Sequence, residues 1–362
     1  MPGLFIGLMS GTSLDGIDAV VSAFDSEPSL LHSHYQPYDS GLRAELLALQ
    51  APCYNELHRA AVTANEMAKA YAVAVTALLR QAALDAGNIE AIGCHGQTIR
   101  HHPDAGYTTQ LVNAALLAEL TGITVISDFR SRDIAAGGQG APLVPAFHRY
   151  LFHSASEHRV IVNIGGIANI TNLPTNGIVT GFDCGPGNTL MDDWINLHQG
   201  KSYDDNGSWA ATGSMLPKLH NRLFLNHYFS TPPPKSTGRD LFNVAWLQAA
   251  LNDDEQPQDV QATLLELTAQ SIMLGIKRYC AGAQAVYVCG GGARNQTLMK
   301  RLAALLPRQR IANTSALGLD ADWVEALAFA WLARQTLLRE PGNLPQVTGA
   351  QGSRILGAVY PA

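Results

Sequence analysis

Two glycine-tipped turns, each set between short apolar runs, constrain this chain more than any other feature. The first spans Gly7 to Asp18. Leu4-Phe5-Ile6 precede its tip and Ala19-Val20-Val21 follow, so the segment reads as a β-hairpin with its polar groups gathered at one end. Gly11 and Gly16 let the backbone approach a ligand closely, and the N–H groups of such a turn form an anion-binding nest. Ser10, Thr12 and Ser13 add hydroxyl donors, while Asp15 and Asp18 suit a hydrated Mg²⁺ beside phosphates. An ordinary polar hairpin loop accounts for the same residues. The second turn, Gly165-Gly166, lies between Val160-Ile161-Val162-Asn163-Ile164 and Ile167-Ala168-Asn169-Ile170-Thr171. This echo points to two related domains offering phosphate loops from opposite sides of a cleft; two coincidental turns are the plainer alternative.

A chain of 362 residues exceeds what one core usually supports, which also favours two domains. Hydrophobic residues make up 47% and charged ones 15%, enough for ample cores without staples. The net charge of -6, with no basic run longer than a pair, gives no footprint for nucleic acid or an anionic membrane. Five scattered cysteines without a Cys-x-x-Cys pair argue against a disulfide framework or zinc site and fit a reducing cytoplasm. The start lacks the basic region of a signal peptide, and no apolar stretch is long enough to span a bilayer.

Short apolar runs alternate with helical patterns, the signature of an α/β protein. A helix is expected from Leu57 to Ala86, capped by Gly87. The strand Ala91-Ile92-Gly93-Cys94 then delivers His95-Gly96-Gln97-Thr98-Ile99-Arg100 to its carboxyl end. After a helix from Ala114 to Thr121, the strand Thr124 to Ser127 delivers Asp128-Phe129-Arg130-Ser131-Arg132-Asp133 in the same way, where ligands gather in open α/β sheets. The stretch Ala135 to Pro145 reads as a domain boundary, either a hinge at Gly137, Gly138 and Gly140 or a rigid substrate-facing loop. A strand from Ile178 to Phe182 places Asp183 at its tip, as a general base or as a turn and helix-capping residue. Gly290-Gly291-Gly292 follow the strand Ala285 to Cys289 and allow a base or phosphate to lie on the backbone. They lack the Gly-x-Gly-x-x-Gly spacing of a dinucleotide fold. Lys235 to Arg239 reads as an ordered loop near the cleft, and His101-His102 and His32-x-His34 as loop or surface histidines. The segment from Pro341 is expected to return to the N-terminal domain.

Five motifs carry a resemblance: Met9 to Asp18, His95 to His101, Gly137 to Pro145, Gly181 to Asn188 and Val288 to Gly292. In this order, over nearly the whole chain, they resemble the anhydro-N-acetylmuramic acid kinase family, within the acetate and sugar kinase, Hsp70 and actin superfamily. The resemblance implies a two-domain actin-like ATPase (ribonuclease H-like) α/β fold, with a duplicated mixed sheet and helices around an ATP cleft. It implies domains at residues 1–133 plus 341–362 and at 134–340, a cytoplasmic homodimer, and use of ATP and Mg²⁺ in cell-wall sugar recycling. The first phosphate loop would be Gly11, Thr12, Ser13, Leu14, Asp15, Gly16, Ile17 and Asp18. Gly165 and Gly166 would belong to the second, and Gly290, Gly291 and Gly292 to the adenosine side. Asp183 would be the catalytic aspartate, with Gln97, Thr98, Arg130 and Glu325 at the substrate. Glu325 opens an amphipathic helix, where an acidic residue also complements the helix dipole. Arg130 and Arg132 suit the lactyl carboxylate of muramic acid, the alternative being a salt bridge with Asp128 or Asp133. A non-catalytic ATP switch, a kinase for another anhydro sugar and a dinucleotide oxidoreductase are the rival readings.

Overall fold

The computed structural model describes residues 3–11, 14–24, 28–252 and 254–362. In chain order its strands are β1 Leu4–Met9, β2 Gly16–Phe24, β3 Pro28–Pro37, β4 Ile89–Cys94, β5 Gln97–His102, β6 Tyr107–Leu111, β7 Val125–Ser127, β8 Arg159–Ile164, β9 Ile167–Leu173, β10 Thr180–Pro186, β11 Ala285–Cys289, β12 Arg310–Asn313 and β13 Ala358–Tyr360. The chain forms two compact units, residues 1–147 with 322–362, and residues 148–321.

Among the described residues, the first unit holds a sheet in the order β13-β7-β4-β1-β2-β3 and the second a sheet in the order β10-β9-β8-β11-β12. In the first, β1, β2 and β3 form an antiparallel meander while β4 and β7 continue parallel to β1. In the second, β8, β9 and β10 form the meander while β11 and β12 continue parallel to β8. Each glycine turn therefore joins the first two strands of its own sheet, and the two sheets repeat one mixed topology. This is the duplicated sheet of the actin-like ATPase fold.

One close approach organises the first unit. Gly7 and Gly93 are register partners across β1 and β4. A Cβ on Gly7 would fall 1.8 Å from the carbonyl oxygen of Ala326, and one on Gly93 would fall 2.0 Å from that of Phe329. The helix Val324–Leu337 thus lies directly on sheet backbone. Val324 and every residue from Ala326 to Ala333 are buried, so this helix is apolar on all sides rather than amphipathic as expected.

The helix Glu56–Ala82 ends four residues before the expected stop at Ala86. Ala83 takes the left-handed conformation, and the amide of Leu84 returns to the carbonyl of Leu79, while the Leu84 side chain packs on the core. That hydrophobic contact sets the turn, and Gly87 falls in a short 3-10 turn beyond it. The final segment adds β13 antiparallel to β7. In the second unit the helix Pro257–Tyr279 buries Val260, Leu264, Leu267 and Ile272 in a core shared with Ile170 and Phe182. All five cysteines are free.

Candidate functional site

In the second unit, three glycine-rich segments meet at one end of the sheet. Gly165 and Gly166 link β8 to β9, and their carbonyls are fully engaged. Gly166 accepts from the amides of Gly187 (2.9 Å) and Thr189 (3.2 Å), and Gly165 from that of Asn188 (2.8 Å). A Cβ on Gly187 would fall 2.2 Å from the Gly165 oxygen, so only glycine permits the approach. β11 runs beside β8 up to the pair Cys289 and Asn163, which brings Gly292 onto Ile164. Asn188 Nδ2 closes the group by donating to the Ile164 carbonyl at 3.2 Å. Bare backbone is thereby presented next to the start of the helix Thr189–Gln199, a setting suited to phosphate or a nucleoside.

Asp183 lies within β10, not at its tip, at the residue where the register with β9 shifts. The strand continues because the bulge absorbs Cys184 and lets pairing resume at Gly185. Asp183 is only 6% exposed, and the loop Lys235 to Arg239 holds it on several sides. Its Oδ2 accepts the Thr237 amide at 3.0 Å, and its own amide donates to the Lys235 carbonyl at 3.3 Å. Its carbonyl accepts the Tyr228 hydroxyl at 2.6 Å. Burial pushes the Tyr228 phenol far up, so that hydroxyl remains a donor. The Lys235 ammonium donates to the Tyr228 carbonyl at 2.8 Å and sits 4.3 Å from the Tyr228 ring centre. Burial pulls its pKa down, against the opposing pull of Cys184 and Asp183. Arg239 anchors the far end of the loop on Asp193 at 3.0 Å. The sequence marks this stretch as an ordered loop near the cleft without a role, and the run of three prolines before it stiffens its approach.

In the first unit, the turn between β1 and β2 is shorter than the motif. Met9 pairs with Asp18, so Gly16, Ile17 and Asp18 belong to β2, where each also pairs with β3. The Ser10 hydroxyl is turned inward, 2.5 Å from the Tyr71 hydroxyl and 3.0 Å from the Gly96 carbonyl. The side chains of Leu14 and Ile17 are core, so only their backbone is available to a ligand. Thr12 and Ser13 lie outside the described residues. Gln97 is buried beneath the turn and donates to the Gly11 carbonyl at 3.0 Å. Asp15 is exposed and Asp18 half-buried.

Arg130 is held by two neighbours of its own unit. Nε and Nη2 donate to His95 Nε2 at 3.1 and 3.0 Å, and Nη1 to the Gly140 carbonyl at 2.8 Å. Burial first, and then the Arg130 charge, holds the His95 imidazole well below its usual range, so the ring is a neutral acceptor. Asp133 is fully buried and accepts from the Gly140 amide (2.8 Å), Asn343 Nδ2 (2.6 Å) and Thr348 Oγ1 (2.7 Å). Its carboxylate thus ties down the glycine loop rather than pairing with Arg130. Arg132 and Asp128 are exposed. The Thr98 hydroxyl accepts from Gln110 at 3.2 Å, and Glu325 sits half-buried in the first turn of its helix.

No helix among the described residues is long and apolar enough to cross a membrane, and they contain no cluster of three or more His, Cys, Asp or Glu able to hold a metal ion. A family model described as anhydro-N-acetylmuramic acid kinase matches residues 3–362. Relatives of that name from Nitrosomonas europaea and Nitrosospira multiformis are 59% and 58% identical over 361 residues, each alignment covering 99% of this chain and 99% of the relative. Among solved structures, component A of the (R)-2-hydroxyglutaryl-CoA dehydratase of Acidaminococcus fermentans matches with a TM-score of 0.50 at 12% identity. That match covers 91% of this chain and 96% of the other, and bears on fold alone.

Proposed function

The chain belongs to the anhydro-N-acetylmuramic acid kinase family, and on that premise we propose how its residues carry the reaction. It is an ATP-using kinase of cell-wall sugar recycling, converting 1,6-anhydro-N-acetylmuramic acid to the 6-phosphate of N-acetylmuramic acid. A 1,6-anhydro sugar has O6 bonded to C1 and carries no proton there, so a base has nothing to remove from the accepting oxygen. Asp183 instead takes a proton from water as that water attacks C1; the C1–O6 bond opens, and O6 attacks the γ-phosphorus, releasing ADP. Entry opposite the departing oxygen parallels inverting glycoside hydrolysis, with phosphorus in place of the usual acid.

The observation that carries this reading is the buried Asp183 carboxylate with Oδ2 fixed by the Thr237 amide, a base oriented before substrate arrives. Backbone amides from Gly11 to Asp18 are the first phosphate loop in this proposal, with Thr12 and Ser13 included on the resemblance alone. Gly165 and Gly166 form the second loop, and Gly290 to Gly292 the adenosine side. Asp15 and Asp18 are the oxygen ligands suited to hold Mg²⁺ through its waters, and bound Mg²⁺ would offset charge on the phosphates. Thr98, Arg130 and Glu325 would contact the sugar, with the Arg130 fork on the lactyl carboxylate, while Gln97, buried beneath the turn, would act through the Gly11 carbonyl it holds. A homodimer working in the cytoplasm completes the proposal.

ADP release that depends on the anhydro sugar separates this kinase from an ATP switch, which would bind nucleotide without responding to sugar. Arg130→Ala should raise KM for the lactyl-bearing sugar by at least about tenfold, since a charged hydrogen bond contributes about 1.5–3 kcal/mol. KM for an anhydro sugar without the lactyl group should stay level. Equal changes for both sugars would remove Arg130 from the carboxylate, and ADP release indifferent to sugar would remove the kinase assignment.

A further inference from the structure

Asp183 has two neighbours whose polar atoms are buried and make no hydrogen bond among the described residues: the Thr237 hydroxyl and the Asn169 side-chain oxygen. Asn169 is 9% exposed and stands directly opposite Asp183 in the β9–β10 pairing. Directly opposed residues on antiparallel strands project from the same face, so its amide lies beside the carboxylate. Thr237 is also at the carboxylate, since its backbone amide already grips Oδ2 at 3.0 Å. A buried polar atom without a partner is costly, and two of them around one buried base call for a common occupant.

We propose that Thr237 and Asn169 hold the attacking water at Asp183, an inference that rests on the general-base reading above. A water has two hydrogens and two lone pairs to place. One hydrogen points to the Asp183 carboxylate and the other to Asn169 Oδ1. The Thr237 hydroxyl donates to one lone pair, and the remaining lone pair faces C1. On attack, the water oxygen bonds to C1, the first hydrogen passes to Asp183, and the second stays as the new anomeric hydroxyl. The C1–O6 electron pair leaves with O6 and forms the new bond to the γ-phosphorus as ADP departs. The main-chain hydrogen bond from Thr237 orients the base, and its side chain orients the nucleophile.

Thr237→Val keeps the amide and the shape but removes the hydroxyl, and Asn169→Leu removes the second acceptor. Misplacing a reacting group can cost about a hundredfold, so each variant should lose at least about tenfold in kcat while KM for ATP and the melting temperature stay within error. Thr237→Ser, which retains the hydroxyl, should keep kcat within about threefold of the parent on the same argument. Wild-type kcat in Thr237→Val or in Asn169→Leu, or a Thr237→Ser as slow as Thr237→Val, would overturn the proposal. If Asn169→Leu folds poorly, Asn169→Ser replaces it, and undiminished kcat there would overturn the proposal equally. Asp183→Asn run alongside separates the levels: full activity in that variant removes the base itself, whereas its loss together with an unaffected Thr237→Val removes only the water-holding pair.

Discussion

Asp183→Asn should lose about a hundred- to ten-thousand-fold in sugar phosphorylation, the usual contribution of a general base. The amide oxygen of asparagine can still accept from the Thr237 amide, and the bonds from Tyr228 and to Lys235 involve the main chain of residue 183. The local fold should therefore survive, and nucleotide affinity should stay within about twofold, because the glycine turns are held by their own hydrogen bonds. Isothermal titration with a non-hydrolysable ATP analogue, beside a turnover assay, checks both halves. Full turnover would remove Asp183 from the mechanism, and lost nucleotide binding would show that its role is structural.

Gly93→Ala and Gly7→Ala should each destabilise the first unit by at least about 3 kcal/mol, at the upper end of overpacking costs. The reason is the identity of the obstacle. Each new methyl meets a main-chain carbonyl of the helix Val324–Leu337, at 2.0 and 1.8 Å, and neither a rotamer change nor a flexible tip can relieve the contact. The helix or the sheet must move, and all the apolar surface between them loosens. Gly87→Ala is the control: nothing lies within 4 Å of its Cβ position, so that change should be neutral or raise stability by about 0.4–1 kcal/mol through the unfolded chain. Urea midpoints of the three variants decide the matter, and a Gly93→Ala as stable as Gly87→Ala would contradict the packing described.

The fold was legible where a residue pattern encodes a local event. The helix Ala114–Thr121 and the strand Ala285–Cys289 fall where periodicity and flanking glycines placed them, and the paired glycine turns correctly announced a repeated topology. What escaped depends on contacts distant in sequence. Asp183 looks terminal because Gly-Pro-Gly usually ends a strand, yet the bulge allows pairing through Pro186. Ser10 looks like a ligand donor until Tyr71, 61 residues away, claims its hydroxyl. Ala83 caps the long helix because Leu84 has a core to enter, which no helix propensity records. The loop at Lys235 gives little sign in sequence that it wraps a carboxylate 54 residues earlier. Arg130 stands out in the sequence through the resemblance and the fit of an arginine fork to a carboxylate, but its orientation follows from Gly140, whose amide is fixed by Asp133 and whose carbonyl takes the guanidinium.

Turnover in ¹⁸O-enriched water tests the central claim most directly, because ring opening and phosphoryl transfer leave separate isotopic records. Product quenched within seconds, before the anomeric hydroxyl exchanges with solvent, should carry one heavy oxygen at C1 and none on the phosphate. Heavy oxygen in the phosphate, or a first-formed product without label at C1, would contradict attack of water on the sugar.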